Sequence, residues 1–295
     1  MGGWQDLAND DRPIAKLGSV TALPFARSPM VATPPQSIAS PPAQSIVIAW
    51  ELLPDDYLLP DDPVDNINQP AIAAALTDAL ATADRLNDTN FTCTNYGICA
   101  TLNDRIVVKA PDWAFIPELR VPKADVVRSY TPQLQGSVPA VVMEFMSETE
   151  GTEYSIKPTY PPGKWFFYEQ VLQVPTYAIF SPQSEILEVY RLGEDGHYAA
   201  ADADAQGCYW LPEMELFLGV WQGDHAGRSG VWLRWWDSDG NLLLWGEELA
   251  AARLQIAEEA RRKAEQESQR AEQEKQRAER LMAQLRAAGI EPEDG

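Results

Sequence analysis

The spacing of apolar residues changes along the chain, and each change marks a structural part. Residues 70–86 (PAIAAALTDALATADRL) carry proline in the first turn and alanine and leucine throughout, which predicts a helix. After this the apolar runs become short and are bounded by turn residues. Residues 98–102 and 106–110 flank Asn103-Asp104 and predict a hairpin. Residues 113–116 continue extended beyond Pro111. Residues 140–145 (AVVMEF) form an apolar run broken by one glutamate, the pattern of a central strand buried on both faces. Helical spacing returns at 164–173 (KWFFYEQVLQ), followed by strands at 177–180 and 186–192. Residues 46–200 therefore read as a sheet with helices packed on it.

The flanking parts differ. Residues 1–45 hold seven prolines, which remove backbone donors and fix φ, and predict an irregular, flexible leader. Residues 201–246 hold six of the ten tryptophans, with an Asp239-Gly240 turn, and predict a β-rich extension. Its indoles either cover the sheet or form a ligand platform. In residues 247–288, Ala250, Ala257, Ala264, Ala271, Ala278 and Leu285 recur every seven positions, uninterrupted by proline or glycine. This predicts a helix of about 40 residues, roughly 60 Å long. Positions three and four beyond these alanines are mostly charged or polar, so knobs-into-holes packing is thin. A weak coiled coil and a solitary charged helix both fit, and the helix is expected to leave the body without packing on it. Residues 289–295 form a tail.

Composition narrows the function. The 295 residues are 45% hydrophobic and 23% charged, as in a globular protein. Acidic side chains outnumber basic ones 44 to 23, for a net charge of −21. Only 12 of those acids, with 9 bases, lie beyond residue 246, so the excess belongs to the body. Net charge this negative argues against tight non-specific nucleic-acid binding, which depends on neutralising phosphates. Three cysteines without CxxC spacing give neither a disulfide framework nor a zinc site. No apolar run approaches a membrane span and no signal peptide is evident, so a cytoplasmic location is expected.

Two histidines leave no Ser-His-Asp or Cys-His arrangement, and no glycine-rich phosphate loop occurs. Carboxylates remain. Asp112 follows Pro111 ahead of one strand, and Glu144 lies within the next. If residues 140–146 are extended, Val142, Glu144 and Met146 share one face. A glutamate in such a strand is costly unless paired or metal-bound. Two acids on neighbouring strands are suited to one hard divalent cation, Mg²⁺ or Mn²⁺. The alternative is that Glu144 simply meets a lysine or a backbone donor.

Pro111-Asp112, Val141-Val142-Met143-Glu144-Phe145-Met146-Ser147, Gly163-Lys164-Trp165-Phe166-Phe167-Tyr168 and Val174-Pro175-Thr176-Tyr177 together resemble a restriction-endonuclease family of the PD-(D/E)XK nuclease superfamily. The resemblance covers about residues 46–200. The segments Tyr209-Trp210-Leu211-Pro212-Glu213 and Trp232-Leu233-Arg234-Trp235, with the charged helix, are similar to the family's longer members. It implies an α/β (α+β) fold: a restriction-endonuclease-like mixed sheet flanked by helices, with a β-rich extension and a long C-terminal helix. It implies that Asp112 and Glu144 are metal ligands and that Lys164 is the catalytic lysine. That lysine is displaced onto the helix because Met146 stands two residues after Glu144. Lys109 and Lys157 are weaker stand-ins.

The chain departs from the family pattern in several places. Asn66, Asn68 and Gln69 stand where simple members carry Ser and His. Thr159 and Tyr160 stand near an absent aspartate. The segment between Glu144 and Lys164 is about six residues longer than usual and holds Glu148, Glu150 and Glu153. These acids either replace a lost ligand or belong to a solvated loop. Glu51 is a weak candidate for an upstream acid. The expected function is a Mg²⁺-dependent endonuclease acting on DNA. The alternative is a degenerate nuclease fold that binds a protein partner, or a second copy, through its terminal helix.

Overall fold

The computed structural model describes residues 46–54, 56–58, 67–146 and 152–288. The leader, the tail, Asn66, Glu148 and Glu150 lie outside the described residues. The described chain belongs to one unit that begins at Ile46. Its strands are β1 (Ile48–Ala49), β2 (Phe91–Cys93), β3 (Ile98–Leu102), β4 (Arg105–Lys109), β5 (Trp113–Ile116), β6 (Val141–Phe145), β7 (Thr176–Ser181), β8 (Ile186–Leu192), β9 (Tyr198–Ala200), β10 (Tyr209–Leu211), β11 (Leu216–His225) and β12 (Arg228–Trp236). Its helices are α1 (Asn68–Thr82), α2 (Lys164–Phe166) and α3 (Gly246–Ala287).

Six strands form the main sheet in the order β2-β5-β6-β7-β8-β9. Strand β6 is antiparallel to β5 and parallel to β7, so this α+β sheet is mixed. A parallel pair needs a crossover rather than a hairpin. Here the crossover carries α2, which widens into a π-helical stretch at Phe167–Leu172 and ends at Gln173 in the left-handed region. The β3–β4 hairpin turns through Asn103 and Asp104, both at positive φ, as tight hairpins require.

Alternation along β6 builds two cores. Val141, Met143 and Phe145 face one core with α1, Trp113, Trp232, Trp235 and Trp245. Val142 faces the other, with residues of β3, Phe167, Tyr168, Tyr177 and Ile179. Both faces of β6 are buried, as the apolar run predicts. The Trp-rich sheet β10-β11-β12 joins the first core, and indoles from β12 and from the N-cap of α3 bond to α1. Trp235 Nε1 donates to Leu76 O and Trp245 Nε1 to Ala75 O, each at 3.1 Å. These tryptophans thus cover the sheet while satisfying their buried donors.

Helix α3 runs unbroken for 42 residues, and every described residue from 253 onward is exposed. Its root, in contrast, packs on the body. Gly246 N donates to Asp78 Oδ2 of α1 at 2.8 Å, and Glu248 closes a capping box on Trp245. The helix therefore leaves the body freely only after its first two turns.

Candidate active site

The β5–β6 ladder pairs Trp113 with Met143, which sets Asp112 opposite Glu144 one step further on. There Asp112 Oδ2, rather than a backbone carbonyl, accepts the N–H of Phe145 at 2.6 Å. The carbonyl of Phe145 accepts Gln69 Nε2 from α1 at 2.7 Å. The strand is thus held at Phe145 while its neighbour Glu144 points to the opposite face.

Glu144 is 1% exposed. Its Oε1 accepts the hydroxyl of Tyr168 at 2.7 Å, and its Oε2 accepts Lys164 Nζ at 3.0 Å. Lys164 and Tyr168 lie four residues apart on the crossover helix, which puts both on one face. The ammonium of Lys164 is also 3.5 Å from Glu153 Oε1. The structure therefore brings Asp112, Glu144 and Lys164 together and adds Glu153 and Tyr168.

Of the other candidates, Glu51 and Lys157 are exposed, and Lys109 ends β4, half-buried. Tyr160 is exposed, with the Arg105 guanidinium 5.2 Å from its ring centroid. In the sequence, Glu153 stands only among the acids of the loop and Tyr168 only at the end of the Gly163–Tyr168 run.

With every group ionised, three acids and one base give this largely buried cluster a formal charge of −2, or −1 while Glu144 keeps its proton. Burial pushes Glu144 up to about 7; Lys164 opposes that shift and Asp112 adds to it. Asp112 is also raised by burial, despite the Phe145 N–H, Lys164 and a hydrogen bond with Glu144. Burial pulls Lys164 down, but the charge of Glu144, its hydrogen bond, Glu153 and Asp112 outweigh it and keep the ammonium protonated. Tyr168 is driven far up by burial and by Glu144, so it remains a donor. Perturbed groups gathered in this way are a feature of functional sites and of buried ion-pair networks alike. Chemically, the arrangement offers two adjacent carboxylates for a cation and a fixed positive charge beside them.

The fold thus sets two central acids of a mixed sheet against a helix lysine. The family model Uma2, described as "Putative restriction endonuclease", matches residues 48–223, and the chain belongs to that family. Among solved structures it is similar to a chain titled a putative nuclease belonging to DUF820 from Anabaena variabilis ATCC 29413. That likeness has 12% identity and a TM-score of 0.36 over 52% of this chain and 76% of the other. No curated protein matches the chain. Among the described residues, no helix is long and apolar enough to cross a membrane.

Proposed function

We propose that the protein is a metal-dependent endonuclease that hydrolyses phosphodiester bonds of DNA, with Mg²⁺ or Mn²⁺ held by Asp112 and Glu144. The charge surplus carries this reading: a buried cluster of three carboxylates and one ammonium has room for a divalent cation in its charge balance. Such a cation supplies Lewis acidity toward a phosphoryl oxygen. The chain's own residues do the rest. Asp112 and Glu144 sit opposite one another on adjacent strands, within hydrogen-bond reach of each other. Tyr168 holds the Glu144 carboxylate in a single orientation. Lys164, kept protonated by its acidic neighbours, would stabilise negative charge developing on phosphate.

The test is cleavage of supercoiled DNA by purified protein with Mn²⁺ or Mg²⁺. Wild type should nick it, and Glu144→Gln, which keeps the shape but loses the charge, should not. Equal cleavage by both would overturn the proposal. The long exposed α3 favours a second reading, a nuclease fold that binds a protein or a second copy through that helix. Nicking activity lost in Glu144→Gln argues against that reading as the sole role.

A further inference from the structure

Glu153 is 3% exposed, and its carboxylate is met on one side only. Oε1 accepts Thr152 Oγ1 at 3.3 Å and lies 3.5 Å from Lys164 Nζ. Oε2 is buried and has no hydrogen-bond partner among the described residues. A buried carboxylate oxygen without a partner is costly, and folded proteins rarely keep one.

The turn that carries this acid is held at several points. The carbonyl of Glu153 accepts the Tyr177 hydroxyl at 3.0 Å. Ser155 O accepts Phe166 N at 3.3 Å, beside the start of α2. A side chain on Gly163 would collide with the Ser155 backbone, so only glycine lets the turn approach the residue preceding Lys164. The fold thus presses Glu153 against the lysine helix while leaving one of its oxygens unmet.

Resting on the endonuclease reading of this site, we infer that Glu153 is its third carboxylate ligand, closing on the same cation as Asp112 and Glu144. Glu144 and Glu153 reach one point from different elements, and that point is now marked by the Lys164 ammonium. A hard divalent cation takes oxygens at about 2.0–2.6 Å, closer than an ammonium does. Among the described residues, no three acidic, histidine or cysteine side chains stand ready at metal distance. Binding of one cation by all three carboxylates therefore requires the Lys164 ammonium to leave this point. The lysine side chain is 23% exposed, which leaves it a path to withdraw.

The test is calorimetric titration of the full chain with Mn²⁺. Wild type should bind, Asp112→Asn should lose binding, and Glu153→Gln should weaken it tenfold or more. Glu153→Gln also removes a lysine partner, so the same change is repeated in a Lys164→Met background, where that ion pair is already absent. A further loss there supports Glu153 as a ligand; equal affinity with and without it overturns the inference. Binding lost in Asp112→Asn but retained in Glu153→Gln sinks Glu153 alone and leaves the endonuclease reading standing. Absence of Mn²⁺ binding in wild type overturns both.

Discussion

Among the described residues, two ion-pair sites, each with a fully buried member, look alike in outline and differ in balance. At the root of α3, Arg234 is fully buried and donates to both oxygens of Glu248, at 3.1 and 2.6 Å. A further donor reaches Leu243 O at 3.0 Å, and the guanidinium lies 3.4 Å from the ring centroid of Trp245. One cation meets one acid in a two-pronged fork, and the aromatic face takes the rest of the charge. Across the main sheet, Lys164 faces Asp112, Glu144 and Glu153. There the acids exceed the base by two, burial raises two of the carboxyls, and one oxygen has no partner. The Arg234 pair is balanced in charge, although Arg234 Nε, like Glu153 Oε2, is buried without a hydrogen-bond partner among the described residues; what separates the two sites is the charge surplus. The surplus at the Lys164 site is the observation on which the metal-site proposal rests.

The largest effect should come from breaking the balanced pair. Truncation after Gly246 removes Glu248 and leaves Arg234 buried without its acid. Breaking a buried pair from one side costs roughly 3–5 kcal/mol. Glu248 is 30% exposed and water can partly replace it, so the lower end of that range is expected. The thermal midpoint should fall clearly, and Glu248→Gln should reproduce much of the fall. An unchanged midpoint would show that Arg234 does not depend on this acid.

The unbalanced site should respond to pH in a way the balanced pair does not. Glu144 is raised from 4.5 to about 7 by folding. Below about pH 4.5 it is protonated in both states, and its burial carries no ionic penalty. Between about pH 4.5 and 7 the unfolded chain releases this proton while the folded chain keeps it, so stability falls as pH rises. The slope approaches at most about 1.4 kcal/mol per pH unit for one group. Urea unfolding at pH 5 and pH 8 should show this loss in wild type. Glu144→Gln, which cannot ionise, should gain on wild type between the two. A constant difference between the proteins would mean that Glu144 is ionised throughout.

Much of the sheet was legible because local signals agree with the fold there. The 140–145 run is apolar because β6 is covered on both faces, and Asn103-Asp104 supply the positive φ of their turn. Glu144 stands out because an acid inside an apolar strand requires an explanation, and Asp112 because it precedes the neighbouring strand; Lys164 comes only from the family resemblance. Glu153 was less visible. Its segment is polar and reads as solvated loop. What buries it is the glycine at 163 and the hydroxyl of Tyr177, both remote in sequence. The bolt at the root of α3 was hidden for the same reason. Arg234 and Glu248 are 14 residues apart on different elements, and neither periodicity nor spacing reveals a fork that forms only when β12 meets the helix. The widening of 167–172 into a π-helical stretch leaves no mark in an otherwise helical pattern.

The smallest effect should come from shortening α3 beyond its root. Truncation after Arg253 keeps Trp245, Gly246 and Glu248, and with them the capping box and the fork on Arg234. Everything it removes among the described residues is exposed. The interactions lost are within the helix, such as Gln255 to Glu259 at 3.2 Å and Gln276 to Glu272 at 3.0 Å. Such exposed pairs hold the helix together but couple weakly to the body. The seven-residue seam is mostly alanine, so packing two copies along it buries little apolar area. The thermal midpoint of this variant should therefore match that of the full chain, in contrast to the truncation seven residues earlier. Any concentration-dependent association seen by sedimentation should be weak in the full chain and absent after truncation. A midpoint that falls as far as it does for the cut at Gly246 would mean that the distal helix docks on the body, and the distinction between its root and its arm would fail.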